Sequence, residues 1–268
     1  MPRLPSVNVN SRSRILQNDP FDRLATPQGR LLAYHAIVGR GPTLAWLSGF
    51  NSDMTGTKAQ ALAAWSRQAD QALVRFDYSG HGRSSGVFED GTIGAWLEDS
   101  LAVLDFLTTG PLVLVGSSMG AWLSLLAAQA RPERVKGLLL IAPAVDFTKR
   151  LMGPALPAEA RAALAGAGRW AMPSSYGAPT IITQALLDDG DRHSLMPGPI
   201  PFQGPVRILQ GQKDPDVPWR HALDTAEAIG SADVQTTLIK DGDHRLSRPQ
   251  DIALLERTAA QLCAALSA

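Results

Sequence analysis

Gly116-Ser117-Ser118-Met119-Gly120 stands between an unbroken apolar run, Leu112 to Val115, and a helix-forming stretch, Met119 to Gln129. A serine hydroxyl attacks a carbonyl well only when a sharp turn lifts it clear of a sheet. Side chains two positions before and after would collide in such a turn, so glycines belong there. The spacing is G-x-S-x-G in a strand–turn–helix context, and it predicts Ser118 as a nucleophile. The helix that begins after Ser118 points free N–H groups and its positive end at the reacting centre. The backbone N–H of Met119 is therefore expected to be one donor to a developing oxyanion.

A serine hydroxyl also needs a base to take its proton. Five histidines compete: His35, His81, His193, His221 and His244. His35 falls in an alternating strand pattern and reads as surface-facing, His81 sits in the glycine-rich turn DYSGHGRSSG, and His193 lies in a proline-broken stretch. On the strand–elbow–helix framework the histidine follows the acid in chain order, which leaves His221 and His244. His221 opens a helical pattern. His244, in KDGDHRLS, follows the last strand pattern and precedes the last helix, and is the preferred base. The acid that orients it should come from the loop after Val206 to Leu209. Asp214 fits the spacing G-x-x-D-x-x-V-P, Asp216 sits two residues on, and Asp146 is a third candidate after the strand ending at Ile141. The second oxyanion donor is expected from LSGFNSD, as the backbone N–H of Phe50.

These loops need a scaffold that brings them to one edge. From residue 20 onward, strand patterns at Arg30 to Val38, Thr43 to Leu47, Ala72 to Phe76, Leu112 to Val115, Gly137 to Ile141, Val206 to Leu209 and Val234 to Ile239 alternate with helical ones. Helices are expected over Lys58 to Ala69, Thr92 to Leu107, Met119 to Gln129, around His221 to Ile229, and from Pro249 onward. Such alternation predicts an α/β fold with a mostly parallel central sheet covered by helices on both faces. Between Ala144 and Gly204 the rhythm stops: seven prolines break the stretch, no strand is convincing, and Pro157 to Leu164 and Thr180 to Leu187 read as helical. The expected organisation is a flexible arm over 1–19, a core over 20–143 and 205–268, and a helical lid inserted over 144–204. Leu151, Met152, Leu156, Trp170, Met172, Ile181, Leu186 and Met196 are the lid's apolar residues, and more than half of them are expected simply to pack it onto the sheet.

Composition closes off several classes. Lys+Arg and Asp+Glu balance at 25 each, which argues against a nucleic-acid partner or an acidic membrane surface. No apolar run reaches the ~18 residues of a spanning helix, so no stable membrane insertion is expected. The single Cys263 excludes an intrachain disulfide framework and a cysteine-rich metal site. A cytoplasmic setting is expected, with the mitochondrial matrix as the alternative if the protein is eukaryotic; the arm carries Arg3, Arg12 and Arg14 and no acid before Asp19, a weak targeting composition, and reads first as a disordered or loosely docked segment. No metal or organic cofactor is implied.

LSGF, DYSGHGRSSG, GSSMG, GQKDPDVPW and DGDH occur in the order in which the α/β-hydrolase superfamily carries them, and the chain resembles that superfamily from residue 20 onward. GFNSDMTGTKA, GSSMGAW, DPDVPW and DHRLS resemble most closely its depalmitoylating thioesterase branch, the α/β-hydrolase domain-containing type ten group. The resemblance implies Ser118, Asp214 and His244 as a triad and a small-molecule or lipid-acyl ester or thioester as substrate. Carbon–carbon bond hydrolysis with the same triad, or ligand binding without catalysis, are the alternative readings.

Overall fold

The computed structural model describes residues 21–173 and 179–267, so the expected arm over 1–19 lies outside the described residues. In chain order the strands and helices are β1 (Asp22–Ala25), β2 (Leu31–Ile37), β3 (Arg40–Leu47), α1 (Thr57–Ala69), β4 (Gln71–Phe76), α2 (Ile93–Leu107), β5 (Leu112–Ser117), α3 (Met119–Ala130) and β6 (Val135–Ile141). After β6 come a π-helical turn (Thr148–Met152), α4 (Gly153–Ala155), α5 (Ala158–Ala167), β7 (Arg169–Met172), β8 (Thr180–Thr183) and α6 (Gln184–Arg192). The chain then returns with β9 (Val206–Gly211), α7 (Trp219–Ala228), β10 (Val234–Ile239) and α8 (Pro249–Ser267).

Eight strands form one sheet in the order β1-β2-β4-β3-β5-β6-β9-β10. β3, β4, β5, β6, β9 and β10 run parallel, and β2 is antiparallel to both β1 and β4. The middle of each central strand is apolar because both faces are covered. Along β5, Leu112 and Leu114 join one core with Trp96, Val103, Trp122 and Leu126 from α2 and α3. Val113 and Val115 join the other, with Leu62 and Ala63 from α1 and Leu255 and Leu262 from α8. β6 divides the same way, Leu138 and Leu140 to the first core and Leu139 and Ile141 to the second. Each such side chain contributes roughly 1.5–3 kcal/mol on burial, so the sheet centre is the most strongly held part of the fold. No helix among the described residues is long and apolar enough to cross a membrane.

The structure differs from the sequence expectation at β1 and in the β7–β8 stretch. β1 is a four-residue edge strand with exposed Asp22 and Arg23 facing no core, so it lacks the alternation that marks a strand. Within the inserted stretch, β7 and β8 form an antiparallel pair, Arg169 opposite Thr183 and Met172 opposite Thr180. The run Thr180-Ile-Ile-Thr183, expected as the start of a helix, is β-branched throughout and prefers the extended chain. The helix begins one residue later, where the Thr183 hydroxyl accepts from Leu186 N at 3.1 Å and caps α6.

Candidate active site

β5 delivers the chain to Ser118, which turns it into α3 with φ 55° and ψ −118°. That conformation is strained for a residue with a Cβ and costs of order 1–3 kcal/mol. Three backbone hydrogen bonds hold it: Ser118 N donates to Ile141 O at 2.8 Å, and Ser118 O accepts from Ala121 N at 3.0 Å and Ala144 N at 3.2 Å. The flanking glycines are dictated by space. A Cβ on Gly116 would lie 2.3 Å from the Gly120 carbonyl oxygen, and one on Gly120 would lie 2.0 Å from that of Leu47. The first turn of α3 is thereby drawn onto the end of β3, where Leu47 pairs with Gly116.

The loop leaving β3 consequently runs beside the serine. A Cβ on Gly49 would sit 3.3 Å from Ser118 Cβ. The next residue, Phe50, packs its ring against Phe88, Phe147 and Trp96 at centroid distances of 5.0, 5.3 and 6.0 Å, which anchors its backbone. Among the described residues neither the Phe50 N–H nor the Met119 N–H donates a hydrogen bond to the protein, and both residues border the cavity over Ser118. The ends of this loop are fastened by the segment after β4: Tyr78 Oη donates to Ser48 O at 3.1 Å, and Met54 N donates to Asp77 Oδ1 at 2.7 Å.

The loops after β9 and β10 meet on the same edge. His244 Nδ1 lies 2.8 Å from Asp214 Oδ2. The Asp214 side chain is fully buried, and its oxygens accept further hydrogen bonds from Gln210 Nε2 at 3.1 Å, Asp216 N at 2.9 Å and Val217 N at 2.8 Å. Burial by itself would raise this carboxyl's pKa. The hydrogen bond and charge of His244, with the two backbone amides, outweigh it and leave the group below its ordinary value. An ionised acceptor at Nδ1 fixes the tautomer that carries the proton there and leaves Nε2 with its lone pair, the state a general base requires.

Comparisons with known proteins identify the family of the chain. The family model described as "Serine aminopeptidase, S33" matches residues 43–196. Palmitoyl-protein thioesterase ABHD10, mitochondrial, from Bos taurus is 39% identical over 246 residues, 91% of this chain and 80% of that protein. The crystal structure of a putative hydrolase from Agrobacterium vitis S4 is 43% identical with a TM-score of 0.86, covering 91% of this chain and 99% of the other. The structure of α/β-hydrolase domain-containing protein 10 from mouse is 39% identical with a TM-score of 0.83, covering 91% and 98%. The chain is an α/β-hydrolase. It groups with the ABHD10 proteins within that family.

The remaining candidate residues make other contacts. Asp146 is fully buried in a left-handed conformation (φ 53°), and its carboxylate accepts from Ser194 Oγ at 2.7 Å, Leu195 N at 2.9 Å and Met196 N at 2.8 Å. It is thus committed to fastening the returning end of the inserted stretch. Asp216 is exposed on the cavity rim. His221 Nε2 bonds Val145 O at 2.9 Å inside the fold, and His193 Nδ1 bonds Asp189 O at 2.9 Å. His35 is half-buried, with Nε2 3.4 Å from an Arg67 nitrogen, rather than surface-facing. His81 is buried in an aromatic box of Tyr78, Phe88 and Trp96, where burial lowers its pKa. Asp214, Asp216 and His244 also place potential ligand atoms within 4.8 Å of one another. Four hydrogen-bond donors already occupy the Asp214 oxygens, so this group suits an imidazole better than a cation.

A cavity of about 850 Å³ covers Ser118 and His244. Five of the eight apolar residues singled out in the inserted stretch line it: Leu151, Met152, Leu156, Trp170 and Met172. Leu186 and Met196 instead join the core. The expectation that most would only pack is therefore reversed, although Leu151 and Met152 do both. Both sit on the π-helical turn where it borders the cavity and the core at once. Sequence reading passed over Asp77, Tyr78 and Gln210, since a buried polar residue that fastens another loop leaves no local pattern.

Proposed function

We propose that this hydrolase cleaves acyl thioesters or esters through an acyl-Ser118 intermediate. The observation that carries the reading is the His244–Asp214 pair at 2.8 Å opening onto the same cavity as a strained, exposed-edge Ser118. His244 Nε2 takes the Ser118 proton as Oγ attacks the acyl carbon. The free N–H groups of Phe50 and Met119 receive the oxyanion, and His244 then passes the proton to the departing thiol or alcohol. Water, deprotonated by His244, attacks the acyl-serine, and the carboxylic acid leaves as Ser118 regains its proton. Residues 144–204 act as a lid, and their apolar side chains form the slot for the acyl chain.

The bovine relative's name speaks of a palmitoyl-protein thioesterase. Together with the apolar slot, this favours a long-chain acyl thioester as substrate. The same name places that relative in mitochondria, which supports the matrix alternative for this chain in a eukaryotic host. The test is a fluorophosphonate probe with mass-spectrometric mapping, alongside turnover of a palmitoyl thioester. Labelling at Ser118, with loss of both labelling and turnover in Ser118→Ala, is expected. Labelling at Ser117, or full turnover by Ser118→Ala, would overturn the reading.

A further inference from the structure

Lys58 is the second residue of α1, the helix that follows the loop carrying the Phe50 N–H. Its Nζ donates to the main-chain carbonyl oxygen of Arg245, the residue after His244 and 187 positions away in the chain. Lys58, Asp243, His244 and Arg245 all border the cavity over Ser118. One hydrogen bond therefore joins the segment behind the oxyanion loop to the loop that carries the base.

That loop needs such a tie. Asp214 fixes the His244 ring at Nδ1, but a side-chain hydrogen bond positions a ring only if the backbone carrying it is also held. On the sheet side the backbone is held by Leu246, buried with φ 43°, and by the Leu246 N–H donating to Asp243 Oδ1 at 3.0 Å. Lys58 supplies the tie on the cavity side.

A neutral donor could satisfy one carbonyl at less desolvation cost, so the ammonium itself is informative. Burial pushes the Lys58 pKa down to about 8. Asp243 from the same loop, Asp251 from α8 and Asp214 from the β9–α7 loop pull it back up, and Arg245 pushes it down. A charged donor makes a hydrogen bond roughly twice as strong as a neutral one.

Resting on the Ser118–Asp214–His244 reading above, we propose that Lys58 is a positioning residue whose ammonium holds the His244 loop against the start of α1, so that the base and the oxyanion donors keep one geometry through turnover.

The test measures kcat and KM for a p-nitrophenyl ester across about pH 6 to 10 in wild type, Lys58→Met, Lys58→Arg and Ser118→Ala. Lys58→Met keeps the stem but removes donor and charge, and its kcat should fall about tenfold with KM within about threefold. Wild-type kcat should decline above about pH 8, as Lys58 loses its proton. Lys58→Arg, which stays charged, should show no such decline, and Lys58→Met should be low and flat over that range. Unfolding through this group cannot mimic the effect. A lysine whose folded pKa lies below its ordinary 10.5 makes the folded state more stable as pH rises from about 8 to that value, and melting curves check this.

The proposal is overturned if Lys58→Met keeps kcat within about twofold, if KM alone changes, or if Lys58→Arg shares the wild-type alkaline decline. Should Lys58→Met fail to fold, the Lys58→Arg pH profile decides. Wild-type turnover by Ser118→Ala would defeat the underlying reading as well, whereas an inert Ser118→Ala with a wild-type-like Lys58→Met defeats only the role of Lys58.

Discussion

Replacing Asp214 with asparagine changes one atom and tests the proposed orienting role apart from its bulk. Asp214 Oδ1 faces two fixed backbone donors, Asp216 N and Val217 N, while Oδ2 faces His244 Nδ1 and Gln210 Nε2. An asparagine can offer one oxygen only. If its amide nitrogen faced the two backbone N–H groups, two buried donors would lose their acceptor at a cost of about 1–3 kcal/mol each. The lower-cost placement keeps the oxygen on the backbone side and aims the NH₂ at His244 Nδ1. The imidazole must then accept at Nδ1 and carry its proton on Nε2, the nitrogen that should take a proton from Ser118.

The expected loss is therefore that of a wrong tautomer, ~10⁴ in kcat, or about 5.4 kcal/mol at 1.36 kcal/mol per decade. Asp216→Asn, exposed on the rim, should stay within about threefold of wild type. The assay is steady-state hydrolysis of a p-nitrophenyl ester together with the rate of fluorophosphonate labelling, on proteins whose melting curves confirm folding. An Asp214→Asn protein within about tenfold of wild type, or a larger loss in Asp216→Asn, would refute the tautomer argument.

Three further outcomes follow from the same contacts. Gly120→Ala should cost at least about 1–3 kcal/mol of stability and most of the activity, because its Cβ meets the Leu47 carbonyl at 2.0 Å and pushes α3 off β3; a melting temperature and kcat equal to wild type would count against that packing. With the cavity lined by Leu151, Leu156, Trp170 and Met172, kcat/KM should rise several-fold per two carbons over short acyl chains, below the roughly 15-fold that ~0.8 kcal/mol per buried methylene allows; a preference for acetyl over every longer acyl group would empty the slot of its role. Burial lowers the pKa of both His81 and His221, so the unfolded chain binds their protons first and stability should fall as pH drops below about 6.5; urea midpoints at neutral and mildly acidic pH test this, and His221→Gln should flatten the dependence.

What could be read from the sequence is what short-range chemistry dictates. The elbow at Ser118 announces itself because its two glycines are forced by clashes within five residues and the adjoining carbonyl of Leu47. β5 and β6 announce themselves because burial on both faces makes Leu112–Val115 and Leu138–Ile141 unbroken apolar runs. The hairpin of β7 and β8 did not, since four-residue strands with half-exposed side chains carry too little alternation to separate them from a helix start. Tyr78 on Ser48 and Lys58 on Arg245 were equally hidden, being single hydrogen bonds across 30 and 187 residues.

The sheet order explains why the remaining pieces converge. β3, β5, β6, β9 and β10 are parallel, so the loops leaving them all emerge on one edge. β6 stands between the strand that delivers Ser118 and the strand that delivers Asp214. At ~4.8 Å per strand, β10 lies three steps, about 14 Å, from β5, so the His244 loop must reach back across the ends of β9 and β6. The chain leaving β6 is where the inserted stretch departs. It leaves between the outlets that carry Ser118 and Asp214, pinned at its start by the Ala144 N–H on Ser118 O and at its return by Asp146 on residues 194–196. A segment leaving at that outlet starts beside Ser118, and one at the outlet of β4, on the far side of β3, would not. Strand order thus puts this stretch next to the serine, where its apolar side chains line the cavity together with the loops after β3, β9 and β10.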